Sequence, residues 1–545
     1  MFIKTTTSGK YRYAQLVESY RKDGATRHKV LLNLGRIDQI ENNPSFQNLA
    51  RKLAELSKAS LLFNPEEVSE AEVFNWGYGI YRKIWDRFDI GGILKNLSAG
   101  RKLRFDLDAS AFLMACQHLL EPGSKRRTCS RQQRYMGLPV VDLNHLYRCL
   151  DILSEHKESL EEAMFFKNRN LFNMKVDVVF FDVTTFSFES VRPDGLRNFG
   201  FSKDGKFNEV QVVLAMLVDV EGRPVGYELF PGNTFEGFTL ETALEKLKQR
   251  FGIERVVIVA DRGLNRRINL GRIKEKGYDY IVAASLKRMK RSMRERVLDD
   301  ADYADIKDGE GDTALRYKVL DHVTAFVDAD GTTHPLQERL IVTYSPKRAE
   351  KDASDRGRLV AKARELLEDR SKIRASQKRG GRKYIKEEGP GGKYLLDEKA
   401  IAEDERFDGY YGILSSDPEM DPLEVLSSYH MLWKIEESFR IMKSTLEVRP
   451  IFHWTENRIK GHFVVCFLAF LLERTLEFKL KEAGESASPE EIRESINSLN
   501  FAKMTVCGED YLVKTRAPSL ANRMLRLMRM KPPKNVTSAS DFSIS

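Results

Sequence analysis

Cysteine is scarce and unpatterned in this chain. Five are spread over 545 residues (Cys116, Cys129, Cys149, Cys466 and Cys507), and none forms a CxxC pair. That excludes a disulfide framework, argues against a zinc site, and fits a reducing compartment. There is no P-loop and no G-x-S-x-G elbow, so neither a phosphate-cradling loop nor a serine nucleophile is indicated. Histidine occurs without HxH or HExxH spacing; His453 and His462 read as structural. Long apolar runs are also missing. The longest, Phe463–Leu472, has about half the length a bilayer span needs and reads as a buried helix. The first ten residues lack the apolar core of a signal peptide. The expectation is a cytoplasmic, nucleoid-associated protein with no membrane partner.

What is present is size and a mild positive bias. Two to four domains are expected from 545 residues, with ample chain for a hydrophobic core. Lys and Arg number 89 against 80 Asp and Glu, a net charge of +9, and the mean hydropathy is −0.43. Such a balance leans toward polyanions without proving contact with them.

Patterning divides the chain into six parts. Residues 1–43 read as a β-hairpin, Tyr11–Tyr20 and Arg27–Leu34 flanking a turn at Asp23-Gly24. Residues 44–172 are helical, with basic runs at Lys125-Arg-Arg and Arg131–Arg134, a candidate DNA-binding domain or equally a helical subdomain with a charged face. Residues 173–289 carry five strand-like runs and two helices. Their runs alternate little, as in a mixed sheet covered on both faces. Residues 290–405 read as an insertion containing β-structure, 406–478 as the return to the α/β part, and 479–545 as a helical C-terminal region. The basic, amphipathic tail Arg523–Lys531 suits packing on the main body better than backbone binding.

Three carboxylates carry the chemistry. The run Val176–Phe181, broken only by Asp177, ends in Asp182; Val256–Ala260 ends in Asp261. Strand ends in such sheets open onto a crevice where functional side chains gather. Either aspartate alone reads as well as a helix cap or a turn residue. Two of them, followed by a helix bearing Glu436, weigh against that. In the helix, Tyr429, Glu436 and Lys443 are seven apart and share a face, while Leu432, Ile435, Phe439, Met442 and Leu446 form an apolar stripe. Glu436 then lies at the margin of core and solvent, with Arg440 and Lys434 nearby as further phosphate contacts. Three carboxylates suit two Mg²⁺ ions, which take hard oxygen ligands and serve phosphodiester chemistry.

In this order the chain resembles the DDE transposases of bacterial insertion sequences. The matching pieces are Phe181-Asp182-Val-Thr-Thr, Gly200-Phe-Ser-Lys-Asp-Gly, Tyr227-Glu-Leu-Phe-Pro-Gly-Asn-Thr, Ala260-Asp261-Arg-Gly, Phe407-Asp-Gly-Tyr-Tyr-Gly and the Tyr-x6-Glu-x6-Lys helix. The resemblance implies a ribonuclease-H-like catalytic domain, with Asp182, Asp261 and Glu436 as catalytic residues and ligands of two Mg²⁺ ions, for which Mn²⁺ can substitute. It also implies DNA contacts from Tyr429, Lys443, Arg440, Lys434 and Arg262. The partners would be double-stranded DNA (terminal inverted repeats and target) and a second copy in a synaptic complex. The activity would be cleavage at element ends and transfer of the 3′-hydroxyls. The subgroup signature Tyr-x2-Arg-x3-Glu-x6-Lys is met except at Leu432, which stands where the arginine belongs. Relatives that stack a flipped base use an insertion-domain tryptophan; residues 290–405 have none, leaving Tyr384 and Tyr394. Two other readings stay open: a regulator that kept the fold but lost catalysis, and a ribonuclease-H-like nuclease that cuts without joining.

Overall fold

The computed structural model describes residues 1–22, 25–41, 43–56, 72–172, 178–189, 192–200, 208–219, 221–234, 236–251, 257–260, 266–307, 313–328, 330–368, 373, 380–389, 393–506 and 509–541. The chain separates into two units. One comprises residues 1–73, 501–515 and 533–543, and the other 74–500, 516–532 and 544–545.

In the first unit, β1 (Phe2–Ser8), β2 (Tyr11–Lys22) and β3 (Ala25–Arg36) form an antiparallel meander. The expected hairpin is its second half; the turn residues Asp23 and Gly24 lie outside the described residues. β1 escaped the sequence reading because Lys4 to Ser8 carry no apolar alternation. Ala14 and Val17 are buried, most of the remaining side chains are not, and the Arg36 guanidinium lies 3.5 Å from the Tyr11 ring centre. The C-terminal region adds a β-hairpin of Asn500–Val506 and Glu509–Lys514, extended by Val536–Ser538.

The second unit opens with helices, among them α1 (Leu107–Leu120), α2 (Lys125–Arg131), α3 (Leu143–Glu155) and α4 (Lys157–Phe172). Its centre is a nine-stranded sheet. β4 (Val178–Ser187), β5 (Gln211–Asp219) and β6 (Pro224–Pro231) run antiparallel. Then α5 (Glu236–Phe251) leads to β7 (Val257–Ala260) and α6 (Arg267–Glu275) to β8 (Asp279–Ala284). β7 pairs in parallel with β4, and β8 with β7. Parallel neighbours need a crossover of this length, which the two helices supply. The spatial order β8-β7-β4-β5-β6 is the ribonuclease-H-like arrangement.

Beyond β8 the sheet continues through strands later in sequence: β9 (Ala304–Lys307), β10 (Thr313–Val327), β11 (Thr333–Tyr344) and β12 (Tyr410–Ser415). β12 pairs antiparallel with β8 and β11, so the long β10–β11 hairpin widens the same sheet.

Both sheet faces are covered, as the unbroken apolar runs require. In β4 the odd residues Val179, Phe181 and Val183 join one core with Phe165 of α4, Leu240 and Phe251 of α5, and Leu270 of α6. The even residues face the other side. Phe186 meets Phe463 edge-on at 5.5 Å there, on the last long helix. The chain reaches it through α7 (Pro422–His430) and α8 (Trp433–Arg440), and the helix itself is α9 (Glu456–Glu482). α9 is apolar on all sides because α1 and α3 enclose its outer face. Gly461 permits that approach: a Cβ there would stand 2.1 Å from the Leu150 carbonyl oxygen of α3. Met524, Leu525, Met528 and Met530 of the basic tail are buried, so the tail packs on the body. Among the described residues no helix is long and apolar enough to cross a membrane.

Candidate active site

Strand alternation places Asp182 on the face of β4 shared with Thr184 and Phe186. Asp182 is half-buried, opposite Met216 of β5, and one carboxylate oxygen accepts the Val183 N–H at 2.7 Å. β4 and β7 run in register from Val178↔Val257 to Phe180↔Val259. β7 ends at Ala260; Asp261 and Arg262 lie outside the described residues.

The Glu436 segment folds less uniformly than a single straight helix. α7 starts with Asp421 as N-cap, its carboxylate accepting the Leu423 N–H at 2.8 Å, and Pro422 fits the first turn. At Met431-Leu432 the winding tightens: Leu432 N–H donates to the Tyr429 carbonyl and Lys434 N–H to that of Met431. α8 follows, and Ile441–Thr445 then widen into one π turn, closed by Leu446 N–H on the Ile441 carbonyl at 2.9 Å. Ser438 and Ser444 hydroxyls donate to carbonyls four residues back, a contact that bends helices. Spacing alone could not reveal these departures, because the apolar stripe survives them. Leu432, Ile435, Phe439, Met442 and Leu446 are all buried.

α8 packs on β4 and β5. The Lys443 ammonium stands 5.8 Å from the centre of the Phe186 ring, which is four residues along β4 from Asp182. Glu436 is exposed and makes no hydrogen bond or ion pair among the described residues. Its neighbour Glu437 is instead tied to Arg474, at 3.3 Å. Tyr429 and Tyr411 share a hydroxyl hydrogen bond of 2.8 Å. Arg440 reaches into solvent, 3.7 Å from Glu437. Lys434 is buried with its ammonium 4.1 Å from the Trp433 ring centre, and burial lowers its pKa. Of the two tyrosines named for stacking, Tyr384 is buried and donates to Asp404 at 2.8 Å, so it offers no stacking face. Tyr394 is partly buried, with the Arg382 guanidinium 5.3 Å from its ring centre.

Behind this segment lies a buried cluster that the sequence only hinted at. His118 Nδ1 lies 3.2 Å from the Leu446 carbonyl oxygen, and His462 Nε2 lies 3.1 Å from that of Val448. These bonds hold the backbone just beyond Lys443. Lys125, one of the basic-run residues, is buried here with Nζ 3.1 Å from His118 Nε2, and burial pulls its pKa down to about 8. His118, His462 and Cys466 converge closely enough to suggest a metal site. The Lys125 ammonium at the free nitrogen of His118 makes it a poor one. Burial lowers the pKa of all three local histidines, His453 to about 3, so they stay neutral.

The family model described as "Transposase DDE domain" matches residues 174–472, more than half of the chain, and "IS1634 family transposase, N-terminal domain" matches residues 3–66. The chain belongs to the DDE transposases of insertion sequences. Domains of this family generally use divalent metal ions. A solved structure titled "Mos1 transposase paired-end complex with left transposon end" is similar at 12% identity, over 33% of this transposase and 60% of that chain, with a TM-score of 0.15. Less than two thirds of that chain is therefore spanned. No curated protein matches.

Proposed function

We propose that this transposase cleaves DNA at the ends of its element and joins the freed 3′-hydroxyls to target DNA, using Asp182, Asp261 and Glu436 to hold two Mg²⁺ ions. The observation that carries the reading is the packing of α8 on β4, which brings the Glu436 helix against the strand of Asp182, with the Glu436 carboxylate exposed. An exposed carboxylate on a helix packed against the strand of a half-buried one is a donor set that fits a hard divalent cation. The β4–β7 register supports the third member: each pair is 79 residues apart (257 − 178), the separation of Asp182 and Asp261 (261 − 182). When bound, the ions would supply a nucleophile at neutral pH and stabilise the leaving oxygen.

The protein's own groups then orient and steer. The Val183 N–H fixes one oxygen of Asp182. Lys443 and Arg440 offer cations to phosphates beside Glu436, and Tyr429 lies one α7–α8 joint away. Membership of the Tyr-Arg-Glu-Lys subgroup is part of the proposal. Leu432 is buried in the apolar stripe, so position 432 serves packing here and the phosphate contact falls to Arg440. Residues 44–172 would add duplex contacts, and two copies would hold two ends in one synapse.

Strand transfer with Mg²⁺, on duplexes carrying the DNA that flanks the gene, tests the reading. Joined products lost in Glu436→Gln are expected. Binding without cleavage by the unaltered protein would make it a regulator, and cleavage without joining a nuclease.

A further inference from the structure

An ammonium group taken out of water needs acceptors, and Lys434 finds none in the protein. The residue is 6% exposed, its ammonium rests on the Trp433 ring, and among the described residues it makes no hydrogen bond or ion pair. A buried polar group without a partner is costly, so its place in a cavity wall points to an occupant. Lys434 is two residues from Glu436, about 200° round α8, and so turns away from the carboxylate. It lines a cavity of about 1070 Å³ bounded by α8, the β5–β6 turn and the end of α9.

Most of the other charges in that wall are already matched. Arg223 pairs with Glu221 at 2.7 Å, Glu485 pairs with Arg523, and Arg474 holds both Glu437 and Glu477. Arg440 leans on Glu437. Glu490 accepts the Thr445 hydroxyl at 3.1 Å, and Glu491 accepts the Ser488 N–H at 2.7 Å as part of its own helix cap. A second ammonium, Lys481, is exposed and, like Lys434, has no hydrogen bond or ion pair among the described residues. The charges that bear on Lys434 are the Lys481 and Arg474 cations, then the Glu437 and Glu477 carboxylates. Three cations thus meet two carboxylates, and burial pushes one of these, Glu477, up to about 7. The excess is one positive charge with Glu477 ionised and two with it protonated.

A phosphate monoester brings nearly two negative charges and three strong acceptor oxygens at neutral pH. That satisfies two ammonium groups at once, whereas a diester of the DNA backbone brings one charge. We infer that this cavity binds the phosphate dianion of a small molecule, with Lys434 and Lys481 as its charge partners. The volume suits a drug-sized ligand, so free phosphate and a phosphorylated metabolite share the chemistry, and the exposed Trp433 ring lies beside either. The inference is independent of the proposed catalysis.

The test uses the full chain without DNA. Inorganic phosphate should raise the melting temperature and change tryptophan emission more than chloride at equal ionic strength. Adenosine monophosphate acting at lower concentration than phosphate, with adenosine inert, would identify a phosphorylated metabolite; equal potency would identify free phosphate. Lys434→Met and Lys481→Met should each weaken the response about tenfold, the loss of a charge-assisted hydrogen bond. Lys434→Arg should retain most of it. In chloride alone Lys434→Met should melt no lower than the unaltered protein, since it removes an ammonium that burial penalises. A lower melting temperature there would show that Lys434 is satisfied within the protein and overturn the inference. So would a phosphate response that equals that of chloride or persists in the double variant. A DNA duplex that displaces phosphate would assign the cavity to the nucleic-acid backbone and overturn the small-molecule reading.

Discussion

The segment from Tyr429 to His462, together with the ends of α1 and α2 packed behind it, presents two sets of polar groups that obey opposite rules. On one side Glu436 and Arg440 stand in solvent, Glu436 without a partner among the described residues. On the other, His118, His462 and Lys125 are buried and bonded to one another or to backbone carbonyls, His453 is buried against the Tyr147 and His462 rings, and all four are shifted in pKa by desolvation. Strongly perturbed groups commonly mark active sites. Here the perturbed groups hold the scaffold, and the carboxylate proposed for chemistry is an exposed one. A carboxylate meant for a cation gains from lacking a lysine or arginine of its own. A histidine meant to fix a loop gains from staying neutral and dry.

The largest effect that could break this contrast is catalytic. Glu436→Gln and Asp182→Asn should each lower cleavage by roughly a thousandfold, the several kcal/mol of charge stabilisation such ligands support. Glu436→Gln should leave the unfolding free energy within about 0.5 kcal/mol, as for a surface change. Cleavage assays beside thermal melts check both; a marked fall in melting temperature would mean that Glu436 belongs to the scaffold.

Next in size is Leu432→Arg, which restores the subgroup signature. Leu432 is 8% exposed in the buried stripe, so the change should destabilise by about 3 kcal/mol, the scale of an uncompensated buried charge. Tighter DNA binding with unchanged stability, measured by denaturant titration, would show that position 432 faces the substrate.

The sheet and the apolar stripe were legible because burial on both faces writes itself as long apolar runs and as three- and four-residue spacing. β4 to β8 and β12 all stand within two or three residues of where those runs put them. Other features left no such trace. β1 has no alternation, and the joint at Met431-Leu432 and the π turn change hydrogen bonding without changing which residues are apolar. Lys125 looked like part of a basic surface because three cations in a row carry no sign of which one points inward. Nothing in the sequence marks Phe452 and Trp454 as exposed, with His453 between them taking the buried place.

The buried side predicts a pH dependence. His453 has its folded pKa depressed to about 3, against roughly 6.5 unfolded. A depressed base excludes the proton from the folded state. Its contribution is therefore full above the unfolded value and is lost as pH falls below it, at about 1.4 kcal/mol per pH unit. Glu473 and Glu477, whose pKa values burial raises, work in the opposite sense over the same range, so the total slope is a difference. Comparing His453→Gln with the unaltered protein isolates the term: between pH 6.5 and 5 the variant's stability should fall less steeply by about that amount. Parallel curves would place His453 in contact with solvent.

The smallest stability effect belongs to Arg440→Ala. The side chain is 72% exposed and its only described ion pair, with Glu437, is 3.7 Å long, so the unfolding free energy should move by less than about 0.5 kcal/mol. Its effect on DNA should be of a different kind. A cation that meets one phosphate releases about one counterion, so the slope of log affinity against log salt should shrink by about one. Titrations of a duplex at several salt concentrations measure this. An unchanged slope would leave Arg440 a solvated residue on an exposed face, and Lys443 as the cation beside Glu436.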